Sequence, residues 1–187
     1  MKIVVARYNE DVQWAQLFPN VIIYNKGITL GSSYNEILLP NVGREAHTYY
    51  HHIYENYDTL DDYTIFLQGS PFHHSPNIIK TLWKYIINPP KSGFQFISEW
   101  MVESNIADCP HQPNIGPLMK DIYEELFGER KEWLPLIFGG GAQFIVSKEA
   151  VYKHPRDFYL KIIKRLDYDM CTNEACVFER FHKIIFS

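Results

Sequence analysis

The residues best suited to chemistry gather at the end of one apolar run. Ile65-Phe-Leu-Gln-Gly-Ser70 reads as a buried strand that finishes in a polar tip, with His73 and His74 close behind. Gln68 offers a carbonyl oxygen and Ser70 a hydroxyl, with Gly69 between them. Mg²⁺ and Mn²⁺ prefer oxygen ligands and Mn²⁺ also tolerates imidazole. His73, His74 and, from near the end of the chain, His182 are therefore candidate metal ligands. The competing reading makes the histidine pair ordinary solvated loop residues. His47, His51 and Glu55 recur at intervals of four and share one helix face. They form a second candidate metal group, of the kind a metal-dependent hydrolase uses, set against a plain solvated helix face. The segment reads His47-Thr-Tyr-Tyr-His51, so the glutamate of a His-Glu-x-x-His motif is absent.

Cations and acids occupy other element ends. Arg7 and Lys26 sit where strands finish, and Arg44 opens a helix, positions suited to meeting an anion. Tyr8 provides a ring for stacking, and Asn9 and Glu10 provide polar edges. Glu99 and Glu103 flank Trp100, an acid–aromatic grouping that suits a sugar as well as it suits a core. Asp169 and Glu174 lie around the start of the last helix, where each is either a general base or a helix cap. No nucleophile elbow, Walker loop or dinucleotide Gly-x-Gly-x-x-Gly is present.

The elements that must position these residues alternate. Short β-branched or aromatic runs over 2–6, 21–24, 63–67, 93–97 and 144–146 predict strands. Helical spacing predicts helices over 12–18, 44–57, 77–87, 117–127, 155–166 and 173–185, with a short one after Ser147. Residues 98–118 read as an irregular segment, a length that is usually functional. The pattern predicts an α/β fold with a mostly parallel sheet, whose ligands bind beyond the carboxyl ends of the strands.

With 187 residues and 46% hydrophobic composition, one domain over 1–187 with a sizeable core is expected. A net charge of −4 without a basic run argues against nucleic-acid binding, which needs clustered Lys and Arg. No run approaches the roughly 18 apolar residues of a membrane span, and the opening apolar run is too short for a signal peptide. Cys109, Cys171 and Cys176 are odd in number and lack a Cys-x-x-Cys pair, so a reduced, cytoplasmic protein is expected. Aromatics reach 16%, which suits either a tyrosine-rich core or a stacking cleft.

Several segments, taken in order, resemble nucleotide-sugar glycosyltransferases of the GT-A fold. Val4-Val-Ala-Arg-Tyr-Asn-Glu10 is similar to their first strand and donor loop, and Asn41-Val-Gly-Arg-Glu-Ala46 to their Asn-x-Gly-x-x-Ala segment. Ile65-Phe-Leu-Gln-Gly-Ser70 falls where those enzymes carry Asp-x-Asp, and Gly139-Gly-Gly-Ala-Gln-Phe144 resembles their glycine-rich acceptor-side strand. Similar wording occurs in small uncharacterised GT-A-like domains, and related enzymes occur in large DNA viruses of the chlorella-virus type. The resemblance implies a GT-A-like sheet and a hexosyltransferase moving a sugar from a UDP-linked donor to a glycan or glycoprotein. The setting it implies is cytoplasmic, in the host if the protein is viral. It places Arg7, Tyr8, Asn9, Glu10, Lys26, Asn41, Arg44, Gln68, Gly69 and Ser70 on the donor. Glu99, Trp100, Gly140 and Gly141 fall on the acceptor side. Glu174, with Asp169 as alternate, takes the role of base. It also implies Mn²⁺ or Mg²⁺, yet Gln68 and Ser70 stand where both acids belong, and Tyr49 where an Asn is usual. A non-catalytic nucleotide- or glycan-binding module and a metal-dependent hydrolase remain the alternatives.

Overall fold

Side chains alternate across a strand, so a sheet covered on both faces needs apolar residues at every position. β1 (Lys2–Arg7), β2 (Val21–Asn25), β3 (Glu36–Leu38), β4 (Tyr63–Gln68) and β5 (Phe94–Phe96) meet that need in part or in full. In β1, Val4 and Ala6 face one side while Ile3 and Val5 face the other; in β4, Phe66 opposes Ile65 and Leu67. The computed structural model describes residues 1–108, 112 and 114–187. Cys109 lies outside them.

A separate two-stranded ladder joins β6 (Met101–Asn105) to β7 (Pro135–Gly139), and β8 (Phe144–Ser147) returns to the main sheet. That six-stranded sheet runs β3-β2-β1-β4-β8-β5. The first four strands in this order are parallel, and β8 enters antiparallel to both neighbours. The expected α/β fold with a mostly parallel sheet is present.

One face is covered by α1 (Arg44–Glu55), α3 (Gly116–Phe127), α5 (Arg156–Leu166) and α6 (Asn173–Phe186). The other is covered by α2 (Ile78–Ile87) and a 3₁₀ turn, Gln13–Leu17, that carries Trp14 against the sheet. α4 (Lys148–Val151) is a single turn, N-capped by Ser147, whose hydroxyl accepts from Ala150 N at 3.2 Å. No helix among the described residues is long and apolar enough to cross a membrane.

Three expectations change. The helix expected over 12–18 is the 3₁₀ turn, because only one turn fits between the polar 9–11 loop and Pro19. β3 went unread, since its three residues form a sheet edge with Ile37 and Leu38 exposed. Part of the segment expected to be irregular is β6, whose polar Met-Val-Glu-Ser-Asn sequence pairs with β7 instead of joining the main sheet.

The aromatic composition is largely core. Tyr49, Tyr50 and Phe144 pack around His182, which is 0% exposed, with the His182 and Phe144 ring centroids 4.4 Å apart and Phe186 packed on Phe144. Neither ring nitrogen of His182 has a hydrogen-bond partner among the described residues, and burial holds its pKa down to about 3. The unfolded chain regains the ordinary value near 6.5, so between these values unfolding takes up a proton here. Stability from this residue is complete above pH 6.5 and is lost as the pH falls towards 3. His182→Phe should raise stability at pH 5. It should also lower the pH slope of the unfolding free energy between pH 4 and pH 6 by about 1.4 kcal/mol per pH unit. Urea denaturation at several pH values measures this, and identical slopes would mean that the native ring takes up protons freely.

Candidate functional site

The register of the parallel strands brings three polar residues to one edge. Arg7 pairs with Asn25, and Ala6 with Gln68, so β1, β2 and β4 finish level. Arg7 is only 8% exposed. A buried guanidinium needs acceptors, and it finds them in the two loops leaving these strands. Its Nε donates to Glu10 O at 2.8 Å; Nη1 reaches Asn25 Oδ1 and Ile28 O, each at 2.7 Å, and Tyr8 O at 3.3 Å. Asn9 Oδ1 accepts from Ile28 N at 3.0 Å, and Glu10 Oε2 accepts from Tyr8 N at 2.7 Å. Arg7, Asn9 and Glu10 thus shape the loops, while the Tyr8 ring is left 49% exposed. Glu10 also packs where a side chain on Gly69 would lie, and Trp14 Nε1 donates to Gly69 O at 2.9 Å.

Next to this clasp lies a cleft of about 270 Å³. Of the residues expected at a donor, Arg7, Tyr8, Glu10, Lys26, Asn41, Arg44, Gln68 and Ser70 line it; Glu45 and Met170 line it as well. Lys26 Nζ donates to Val42 O at 2.6 Å and to Arg44 O, which joins the end of β2 to the start of α1. Burial lowers the Lys26 pKa to about 8, opposed by the nearby Glu45 carboxylate. At that start, Gly43 N and Arg44 N donate to Asp169 O and Met170 O at 2.8 and 3.2 Å, so the 169–170 backbone occupies part of the helix terminus. The Arg44 guanidinium stays about half exposed, 3.7 Å from Glu45.

A second cleft of about 230 Å³ adjoins the first, and Arg44 and Gln68 line both. The Trp100 indole stacks on the His74 imidazole, centroids 5.2 Å apart and 23° from parallel. Side chains on Gly140 or Gly141 would collide with this pair: a Cβ on Gly140 would meet His74 and Trp100 at 3.0–3.1 Å, and one on Gly141 would meet His74 at 2.5 Å. Glu179 of α6 lines the same cleft; its Oε1 accepts from Ala142 N at 3.1 Å, and its Oε2 lies 3.7 Å from Arg180 Nη1. Burial and the neighbouring Glu45 charge push its pKa up to about 7, against the pull of Arg180 and Arg44. Glu179 and Glu45 were missed by sequence reasoning. No local signal marked either: Glu179 sits on a helix whose periodicity reads as core, and Glu45 is a first-turn acid of α1.

Other expected residues sit elsewhere. His73 is exposed, His74 lies against Trp100, and His182 is sealed in the aromatic core, so these three do not converge as ligands. Gln68 and Ser70 add only neutral donors, and no group of three His, Cys, Asp or Glu positioned for a metal exists among the described residues. At the β4 tip the implied Mn²⁺ or Mg²⁺ would meet only these neutral oxygens. His47 and His51 stack on each other, ring centroids 5.8 Å apart, with His47 3.8 Å from Asp167. Glu99 turns to α2, where its oxygens accept from Asn77 N and Nδ2 at 3.0 and 3.1 Å. Glu174 lines neither cleft; its Oε2 accepts from Tyr168 Oη at 2.6 Å, and Thr172 is the helix cap. Asp169 closes a turn by accepting from Cys171 N at 2.9 Å.

Residues 3–82 match a family model described as Protein of unknown function (DUF3431), a span that holds β1 to β4, α1 and most of the first cleft. No curated protein and no solved structure matches the chain.

The loop clasp depends on Gly27. A Cβ there would lie 1.7 Å from Tyr8 O and 2.4 Å from Asn9 Oδ1, so the two loops cannot close over any side chain. Gly27→Ala should destabilise the protein by about 1–3 kcal/mol, the usual cost of overpacking, and should part the loops that carry Tyr8 and Lys26. Thermal unfolding measures the first effect and amide exchange at Ile28 the second. Unchanged exchange at Ile28 would show that the clasp does not need this contact.

Proposed function

We propose that the protein transfers a sugar from a nucleotide-sugar donor, in the manner of GT-A enzymes, with the first cleft holding the nucleotide diphosphate. One observation carries the reading. A cleft at the carboxyl ends of parallel strands is ringed by Lys26, Arg44 and Arg7 and bordered by the exposed ring of Tyr8. In sheets of this kind ligands bind at that edge, and a diphosphate needs cationic donors there. The Ala-Arg-Tyr-Asn-Glu and Asn-Val-Gly-Arg-Glu segments that carry the resemblance both border this cleft, which supports the same reading.

The leaving diphosphate gains negative charge as its bond to the sugar breaks, and fixed cations stabilise that state more than the ground state. Lys26 is held by two carbonyl oxygens and keeps one N–H for the cleft; Arg44 adds a guanidinium from the neighbouring helix. The Tyr8 ring offers a face for the base. A uridine diphosphate is the first ligand to try, on the strength of the resemblance. The neutral Gln68 and Ser70 at the β4 tip equally favour a module that binds the nucleotide without turning it over.

Isothermal calorimetry with a panel of nucleoside diphosphates should show binding of the uridine compound, retained when a chelator replaces Mn²⁺. Arg44→Ala should weaken it by about 1.5–3 kcal/mol, the range for hydrogen bonds to charged groups, while uridine itself binds as before. No binding of any nucleoside diphosphate would refute the transferase reading. Equal losses for nucleotide and nucleoside would make Arg44 a structural residue.

A further inference from the structure

The outer face of α2 combines exposed apolar side chains with unpaired lysines. Ile78, Leu82 and Tyr85 turn inward to the sheet. Lys80, Trp83, Lys84 and Ile87, spaced i, i+3, i+4 and i+7, share the opposite face, and all four are exposed. Trp83 is 41% and Ile87 71% exposed. Aromatic contacts extend the apolar surface beyond the helix. The Trp83 ring centroid lies 5.2 Å from that of Phe18, Phe18 lies 6.3 Å from Trp14, and Trp14 lies 6.2 Å from the exposed Phe72. Leu17, next to Phe18 in the chain, is exposed as well.

The charge around this surface has one sign. The chain carries 22 acids and a net charge of −4, yet residues 63–98 hold Lys80, Lys84 and Lys91 and no Asp or Glu. None of these three lysines has an ion-pair partner among the described residues. Arg130, by contrast, pairs with Asp121, Glu124 and Glu132. Two acids on adjoining elements are engaged: Glu99 accepts from Asn77 N and Nδ2, and Asp11 Oδ1 accepts from Gln13 N at 2.8 Å.

We infer that this face docks on an anionic lipid bilayer, with Trp83, Ile87 and Phe72 entering the interfacial layer and Lys80 and Lys84 meeting the headgroup anions. An anionic surface repels a chain of net negative charge except where its cations are grouped, so the acid-free side sets the orientation. Indole rings favour the boundary between water and hydrocarbon. Lysine stems lie along apolar side chains while their ammonium groups reach outward. Lipids rearrange around apolar groups interspersed with lysines, whereas an acidic protein needs a surface shaped to match them. At ten residues α2 is too short to span a bilayer, so it lies in the plane of the surface. Its core face stays on the sheet, and docking requires no unfolding. The inference stands apart from the transferase reading.

Flotation of the full chain with lipid vesicles tests it. The protein should float with equimolar phosphatidylcholine–phosphatidylserine vesicles, stay behind with phosphatidylcholine alone, and be released by high salt. Lys80→Ala combined with Lys84→Ala should weaken binding roughly 30-fold, about fivefold for each lysine near a charged surface. Ile87→Ser should weaken it roughly tenfold, through the loss of one buried aliphatic side chain. These side chains are exposed, so melting temperatures should match that of the parent protein. Lys161→Ala combined with Lys164→Ala, an equal loss of charge from α5 across the sheet, should leave binding unchanged. Failure to bind the mixed vesicles overturns the inference, and is the result expected of a face that serves an acidic protein. Equal binding to both vesicles, an equal loss with the α5 pair, or full binding by Ile87→Ser overturns it too. UDP binding decides the transferase reading alone and has no bearing here.

Discussion

Everything at the ligand edge of the sheet hangs on a buried guanidinium. Arg7 leaves water at the end of β1, and a charge in that position is tolerated only where acceptors surround it. The chain supplies three carbonyl oxygens and the Asn25 side chain, from the loops after β1 and β2. Asn25 then extends the network outward: its Oδ1 accepts from Gly27 N, and its Nδ2 donates to Ile28 O and Glu36 Oε1. The edge strand β3 is thereby tied to the same charge. Gly27 allows the two loops to touch, and the outcome is a rigid rim with Tyr8 and Lys26 facing one cleft.

The second constraint is electrostatic. Cations and acids alternate around the joined clefts, with Lys26 and Arg44 beside Glu45 and Glu179. Burial pulls both kinds towards neutrality, the Lys26 amine down to about 8 and the Glu179 carboxyl up to about 7. An anionic ligand would reverse the pressure on Lys26 and supply the charge it lacks. Such opposed shifts in neighbouring groups often mark functional sites.

The sequence made the sheet legible where both faces are buried. Runs such as Lys2-Ile-Val-Val-Ala-Arg7 and Tyr63-Thr-Ile-Phe-Leu-Gln68 have no other economical reading. It was silent on β3 and on the β6–β7 ladder, whose strands are short, polar or run into a glycine turn and are recruited by pairing. The grouping of Tyr8, Lys26 and Gln68 around one cleft was legible too, because strand ends in a parallel sheet converge, while Asn41 and Arg44 were placed beside them by the resemblance of the Asn41-Val-Gly-Arg-Glu-Ala46 segment. Side chains brought in by helices from far along the chain were not. Glu179 is one acid on a helix whose periodicity reads as core, and His182, four residues before the end of that helix, is sealed among aromatic rings. Nothing local distinguishes the acid that faces a cleft from the histidine that faces the core; only the packing of α6 against β7 and α1 does so.

The central claim is that the cleft beside the Arg7 clasp receives a nucleotide diphosphate through Lys26 and Arg44. A crystal structure determined with uridine diphosphate tests it most directly. The account predicts phosphate oxygens within hydrogen-bond reach of Lys26 Nζ and the Arg44 guanidinium, with the base against the Tyr8 ring. A nucleotide bound on another surface, or one whose phosphates point to solvent away from both cations, would contradict it.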